Sequence, residues 1–221
     1  MPGKHIKRLK CGSGTLVDAV VIEGGREEAL YWHQKVQLPY IAKSPNFRPD
    51  RNWNWPWKMR WWPILFQSCT RRNTAFFQIN VTTSSGRAFP VGQIFVSDGF
   101  PFFPGQRQEC IFLWLLAAAP QTALLAQGLP ADLKLMPPLV DVAIQFSFQR
   151  GYNGLLTLHA ARSGDKSADR ALYRIYEKNV SLIPYKKQGY VSTMRRRNDG
   201  RYFYADEERA LELTTKLNYL R

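Results

Sequence analysis

Carboxylates are what this sequence most lacks. Asp and Glu total 17 against 31 Lys and Arg, a net charge of +14. The deficit is local: no acid occurs between Asp50 and Asp98, a stretch that carries Arg51, Lys58, Arg60, Arg71, Arg72 and Arg87. Lys4, Lys7, Arg8 and Lys10 form a second basic block, and Lys186, Lys187, Arg195, Arg196, Arg197 and Arg201 a third. Charge of this sign draws a chain toward polyanions (RNA, DNA, acidic proteins or anionic membrane) or serves as a solubilising surface. It names no partner by itself. Cysteine is scarce as well. Cys11, Cys69 and Cys110 are odd in number and lack C-x-x-C spacing, which argues against a disulfide framework and a zinc site. His5, His33 and His159 form no metal-like cluster.

Long apolar runs are also missing. The longest, Cys110 to Pro120, falls well short of the ~20 residues of a membrane-spanning helix. The first residues, MPGKHIKRLKCGSG, are basic but have no apolar segment of signal-peptide type. A cytoplasmic protein without a membrane span is expected. With 45% hydrophobic and 14% aromatic residues in 221, the chain can bury one compact core. We divide it into a basic N-terminal extension, 1–45, packed on a domain of residues 46–221.

Residues 1–13 read as a flexible basic tail. Thr15 to Ile22 reads as a strand and Arg26 to Ala42 as a helix. Phe47 to Pro63 is tryptophan-rich and proline-broken, without helical period. Thr74 to Thr83 and Ala88 to Val96 read as strands about a Ser84-Ser85-Gly86 turn. Gln108 to Ala119 reads as an apolar central strand. Pro137 and Pro138 open a helix that is apolar almost all round, with Asp141, Gln145 and Gln149 as a narrow polar stripe. Leu155 to Ala160 is the next strand, Ala168 to Asn179 the next helix, and Arg201 to Tyr204 a short strand. Asp206, Glu207 and Glu208 place negative charge at the positive end of a last helix, with Ala210, Leu213, Leu217 and Leu220 as its apolar stripe. Strands followed by strand–helix–strand–helix predict an α/β fold: a mixed sheet, flanked by helices, with a right-handed βαβ crossover in its later half.

Several local patterns occur in a fixed order. Asp50, Trp53 and Trp55 make D-x-x-W-x-W, and Ala119-Pro120 ends a strand. Arg150-Gly151-Tyr152 precedes Gly154, Leu158 and His159. Ile175-Tyr176-Glu177-Lys178 lies on a helix, and Tyr202, Phe203, Glu208 and Ala210 close the series. From about Asp50 onward the chain thereby resembles the GNAT superfamily of N-acetyltransferases, in particular a bacterial subgroup. The resemblance implies acetyl-CoA as acyl donor, its pantetheine arm wedged between the strands Gln108–Ala119 and Leu155–Ala160. Contacts would come from Leu116, Ala117, Ala118, Lys134, Leu135, Met136 and Leu139, with the pyrophosphate at the start of the following helix. Tyr176 would protonate the departing thiolate, and Glu109 or His159 would take the proton of the acceptor amine.

The chain departs from the family pattern in two places. The R/Q-x-x-G-x-G/A phosphate loop has Lys134 and Met136 at its glycine positions, followed by two prolines that cannot donate. The acid expected on the strand ahead of Ala119-Pro120 is Trp114. Trp53 and Trp55 read as core, whereas Trp57, Lys58, Arg60, Trp61 and Trp62 read as a contact surface for nucleic acid or the acceptor. The leading expectation is an N-acyltransferase acting on an amine carried by, or near, an anionic macromolecule. The rival is a non-catalytic GNAT-like module that binds nucleic acid or an acidic protein. A toxin or effector use of the same chemistry, and a homodimer, stay open.

Overall fold

The computed structural model describes residues 5–45, 48–105, 108–187, 190–191 and 196–221. Lys4, Phe47 and Arg195 lie outside the described residues. Eight strands form one sheet in the order β1 (Arg8–Lys10), β2 (Leu16–Glu23), β3 (Thr74–Thr82), β4 (Ala88–Pro101), β5 (Glu109–Ala118), β6 (Leu156–His159), β10 (Tyr202–Ala205) and β7 (Ile183–Pro184). Strands β8 (Tyr190–Val191) and β9 (Arg196–Arg197) pair separately. Within the large sheet only β5 and β6 run parallel. They are joined by the predicted crossover helix, α4 (Met136–Gln149). The other helices are α1 (Arg26–Trp32), which continues as a π-helix over 33–41, α2 (Trp55–Thr70), α3 (Gln121–Ala126), α5 (Lys166–Arg174), followed by a π-helical turn over 175–179, and α6 (Glu207–Lys216). Among the described residues no helix is long and apolar enough to cross a membrane.

Two expectations are corrected. The tail reading of residues 1–13 fails from Ile6 onward, because Ile6, Leu9 and Cys11 are buried. Strand β1 pairs with β2, and the Lys7 amide donates to Leu220 O at 2.7 Å. The Trp-rich segment is not broken. From Trp55 it is a 16-residue helix, started by Asn54, whose side chain accepts from the Trp57 amide, with Pro56 in the first turn where no donor is missed. Pro63 does interrupt the helical bonding, yet Trp55 is fully buried and Met59 nearly so, which holds α2 on the sheet. With its amide oxygen turned toward them, Gln93 of β4 accepts from the indoles of Trp32 and Trp55, each at 3.2 Å. The polar stripe of α4 is covered over most of its length, and Gln149 at its end is exposed. Asp141 and Gln145 are wholly buried beneath α6, where Thr214 and Arg221 meet them.

Helix α4 lies against β4 and β5 so closely that a Cβ on Gly92 would come within 2.8 Å of Leu139. On its other side a Cβ on Gly154, where φ is +79°, would come within 2.5 Å of the Ala210 Cβ. Glycine at these two points lets the crossover helix sit between sheet and α6.

Burial also predicts how stability responds to pH. It lowers the pKa of His5 and of His33, and each ring keeps a buried Nδ1 without a hydrogen-bond partner among the described residues. A histidine whose folded pKa lies below its unfolded value of ~6.5 stabilises the fold fully above that pH. The contribution is lost as pH falls through ~6.5 toward the folded value. Melting temperature should therefore drop as the medium is acidified from about one unit above that value to about one unit below it. A His5→Gln/His33→Gln variant should show a flatter profile over the same range.

Candidate functional site

The site begins where the parallel pair comes apart. Strands β5 and β6 are in register over only three pairs, Ile111–Leu156, Phe112–Thr157 and Leu113–Leu158. At the next residue β5 bulges: Val96 faces Leu113 and Phe95 faces Leu115, so Trp114 has no partner on β4. A bulge bends and twists its strand. Beyond it β5 continues to Ala118 paired with β4 alone, while β6 stops at His159. The two strands part here, leaving a notch in which, among the described residues, the β5 edge beyond Leu113 has no neighbouring strand.

A cavity of about 270 Å³ fills this notch. Its β5 wall includes Trp114, Leu116 and Ala118, and its β6 wall Leu158 and His159. Tyr176, Trp53, Asp50 and Arg48 close the remaining sides. A second, more open cavity of about 830 Å³ runs from Pro120 past Lys134 and Leu135 to Met136 at the start of α4. Arg48, Ala118 and Met136 border both cavities.

The polar groups of the notch are few and tied. Asp50 is buried and takes a bidentate pair from Arg48, Nε to Oδ1 at 2.9 Å and Nη2 to Oδ2 at 2.7 Å. The same Nη2 donates to Ala118 O at 2.9 Å, on the last residue of β5. Gln37 Nε2 holds the backbone by donating to Asp50 O at 2.7 Å. Tyr176 is buried in the π-helical turn after α5, its ring 5.3 Å from that of Phe203. Burial, reinforced by the Asp50 charge, raises its hydroxyl well above the usual tyrosine range. His159 stacks on Tyr202 at 4.2 Å, with Nε2 at 3.1 Å from Asp199. Burial lifts the Asp199 carboxyl, but hydrogen bonds from Arg201 and His159 outweigh it and hold that group below its ordinary range.

The structure gathers some of the predicted site residues and separates others. Tyr176, His159, Leu116, Ala118 and Met136 share the notch, and Lys134, Leu135 and Met136 share the neighbouring cavity. Ala117 and Leu139 line neither cavity. Ala117 alternates to the other face of β5 and is buried there, and Leu139 is spent on the contact with Gly92. Glu109 lies at the opposite end of β5, beside Gly99 and Tyr152. Seven residues separate it from Leu116, roughly 23 Å at a strand's rise per residue.

In the tryptophan cluster, Trp57 and Trp61 are 52% and 40% exposed, with the Arg60 guanidinium 5.0 Å from the Trp61 ring. Trp62 departs from the expectation of an exposed contact. It packs against Phe95 and Trp114, with the Lys58 ammonium over its ring at 4.2 Å. Sequence reasoning missed Arg48 as a site residue and took Asp50 and Trp53 only as signposts. A signal was available: D-x-x-W spacing suits a single turn, and the Trp53 amide indeed donates to Asp50 O at 3.1 Å.

No protein-family profile matches the chain, nor does any curated protein. Solved structures give three informative comparisons. A mutant AtaT toxin bound to the C-terminus of the antitoxin AtaR and acetyl-CoA is 12% identical, over 89% of this chain and 98% of that one, with a TM-score of 0.48. A KacTA–DNA complex is 10% identical over 90% and 99%, with a TM-score of 0.45. AtaTR bound with acetyl-CoA is 12% identical over 89% and 98%, also at 0.45. At these values the matches carry no chemistry from one protein to the other. The notch itself has to carry the functional reading.

Proposed function

We propose that the chain is an acyl-CoA-dependent N-acyltransferase, with acetyl-CoA as donor and an amine as acceptor. The observation that carries this reading is the splay of β5 from β6 at the Trp114 bulge, with a cavity at its apex and a buried tyrosine on the wall. An unpaired strand edge offers backbone donors and acceptors to an amide-bearing arm, which pantetheine is. The thioester then sits beside Tyr176, whose raised pKa keeps the hydroxyl protonated and able to protonate the leaving thiolate. Two groups on the wall can take a proton from the amine, His159 and Asp50. The second cavity accepts the nucleotide end of the donor.

The helix start that would hold the pyrophosphate is reduced. Pro137 and Pro138 offer no donor, the Lys134 amide donates to Lys10 O, and the Leu139 amide to Leu135 O. That leaves the amides of Leu135 and Met136, with the exposed Lys134 ammonium beside them. Isothermal titration with acetyl-CoA tests the reading. Saturable binding is expected, weaker than a full glycine cradle would give, and no binding at millimolar ligand overturns it.

The same poor cradle favours a second reading, a non-catalytic module that binds nucleic acid through Trp57, Arg60 and Trp61. In that case the chain binds single-stranded RNA or DNA with an affinity that falls steeply with salt, and acetyl-CoA does not compete.

A further inference from the structure

We propose that Asp50 is the group that takes the proton from the acceptor amine, filling the role that a carboxylate on β5 would have. The inference rests on the acyltransferase reading above. Three observations lead to it. Among the described residues that line the notch, Asp50 is the sole carboxylate. The β5 position where the GNAT resemblance expects an acid is Trp114, whose indole is committed to Ser97 Oγ at 2.8 Å. Asp50 lines the same cavity from the turn before α2, within electrostatic reach of the Tyr176 hydroxyl. The carboxylate lost from one wall is thus present on another, with the proposed acid beside it.

His159 is the competing proton acceptor. Its Nε2 is already engaged with Asp199, its ring face is stacked on Tyr202, and it closes a short strand. Those contacts fasten β6 to the segment around β10. Asp50, by contrast, is oriented by the Arg48 guanidinium, whose place an incoming ammonium would take over by the exchange of one cation for another on the same carboxylate. The neighbouring rings of Trp53 and Trp114 also suit a cation.

The acceptor ammonium transfers one proton to the Asp50 carboxylate. The freed amine attacks the thioester carbonyl, forming the C–N bond. The C–S bond breaks, and the thiolate takes the Tyr176 proton. The nitrogen, still cationic, returns a proton to the tyrosine oxygen. Asp50 then releases its proton to water, leaving amide, thiol and one proton.

The test uses the full chain with acetyl-CoA and butylamine, following thiol release, for wild type, Asp50→Asn and His159→Asn. Asp50→Asn preserves side-chain volume and the backbone bond from Gln37. We expect kcat to fall at least ~100-fold in Asp50→Asn, the scale of a lost general base, with acetyl-CoA affinity unchanged. His159→Asn should lose less. Equal rates for wild type and Asp50→Asn, including no measurable rate in either, overturn the proposal, as does a larger loss in His159→Asn. Acetyl-CoA titrations of the same proteins separate the two failures. Binding without Asp50 dependence defeats this assignment alone, whereas no binding by the wild type defeats the acyltransferase reading itself. Thermal melts of both variants, with Asp50→Glu as a second substitution that keeps a carboxylate, show whether a loss is one of folding. A folded Asp50→Glu that is no more active than Asp50→Asn also counts against the proposal.

Discussion

Asp141→Ala should destabilise the protein severely, because it strands a cation in the core. Asp141 lies at the centre of α4 with no exposure, and Arg221, whose side chain is 5% exposed, grips both its oxygens at 2.8 and 2.9 Å. Thr214 Oγ1 and Gln145 Nε2 complete the network, the latter donating to Thr214 at 3.1 Å. Ionic groups buried this deeply gain little net stability from their mutual attraction, because desolvation offsets it. Removing one partner is different, since the other is left charged and unsolvated.

Such a loss costs roughly 3–5 kcal/mol. At ~2–4 °C per kcal/mol for a chain of this size, melting temperature should fall by roughly 6–20 °C. Arg221→Met should cost a similar amount. The double variant Asp141→Leu/Arg221→Met should recover most of the loss, since two apolar groups of similar volume replace the pair and no charge is stranded. Differential scanning calorimetry on the four proteins decides it. A double variant that melts at the sum of the single losses would show that the pair acts independently and that the network is not what anchors α6 to α4.

The same network shows where sequence reading reaches its limit. The apolar character of α4, its proline start and its place between β5 and β6 are periodic features, visible in one stretch of chain. So are the β3–β4 hairpin and the acidic start of α6. What covers the polar stripe is not local: Asp141 meets Thr214 and Arg221 only after the chain has returned through β6, α5 and β10. Helix α2 was hidden for another reason. Pro56 and Pro63 read as breakers, but Pro56 falls in the first turn, where its missing donor is harmless, and burial of Trp55 offsets the cost of Pro63. The site divides in the same way. Tyr176 and His159 could be placed from ordered motifs, and Ala118 from the strand end before Pro120. The Trp114 bulge and the π-helical turn that carries Tyr176 depend on backbone bonding, such as the Val180 amide to Ile175 O, that residue types do not encode. Asp50 faces Trp114's cavity from a distant segment, so no spacing rule connects them.

Tyr176→Phe should lower turnover by roughly 10²–10⁴, the range for loss of a positioned general acid, while acetyl-CoA affinity and melting temperature hold. The separation is expected because the substitution removes one oxygen and keeps the ring, whose packing against Phe203 fixes the π-helical turn. The hydroxyl's high pKa works in two directions. It guarantees that the proton is in place at any physiological pH, yet a phenol more basic than a thiolate of ordinary pKa, ~8.5, gives its proton up reluctantly. The transfer therefore has to be coupled to refilling of the phenolate by the cationic nitrogen just joined to the acyl group. Two consequences can be measured. The wild type's pH profile should show no falling limb in the range in which an ordinary tyrosine begins to ionise, because burial and the Asp50 charge both oppose the phenolate. In Tyr176→Phe the residual rate should depend strongly on the leaving group, so that an acyl donor with a more acidic thiol recovers much of the loss. A Tyr176→Phe protein that turns over acetyl-CoA at the wild-type rate would remove the tyrosine from the chemistry and reduce its place on the cavity wall to packing.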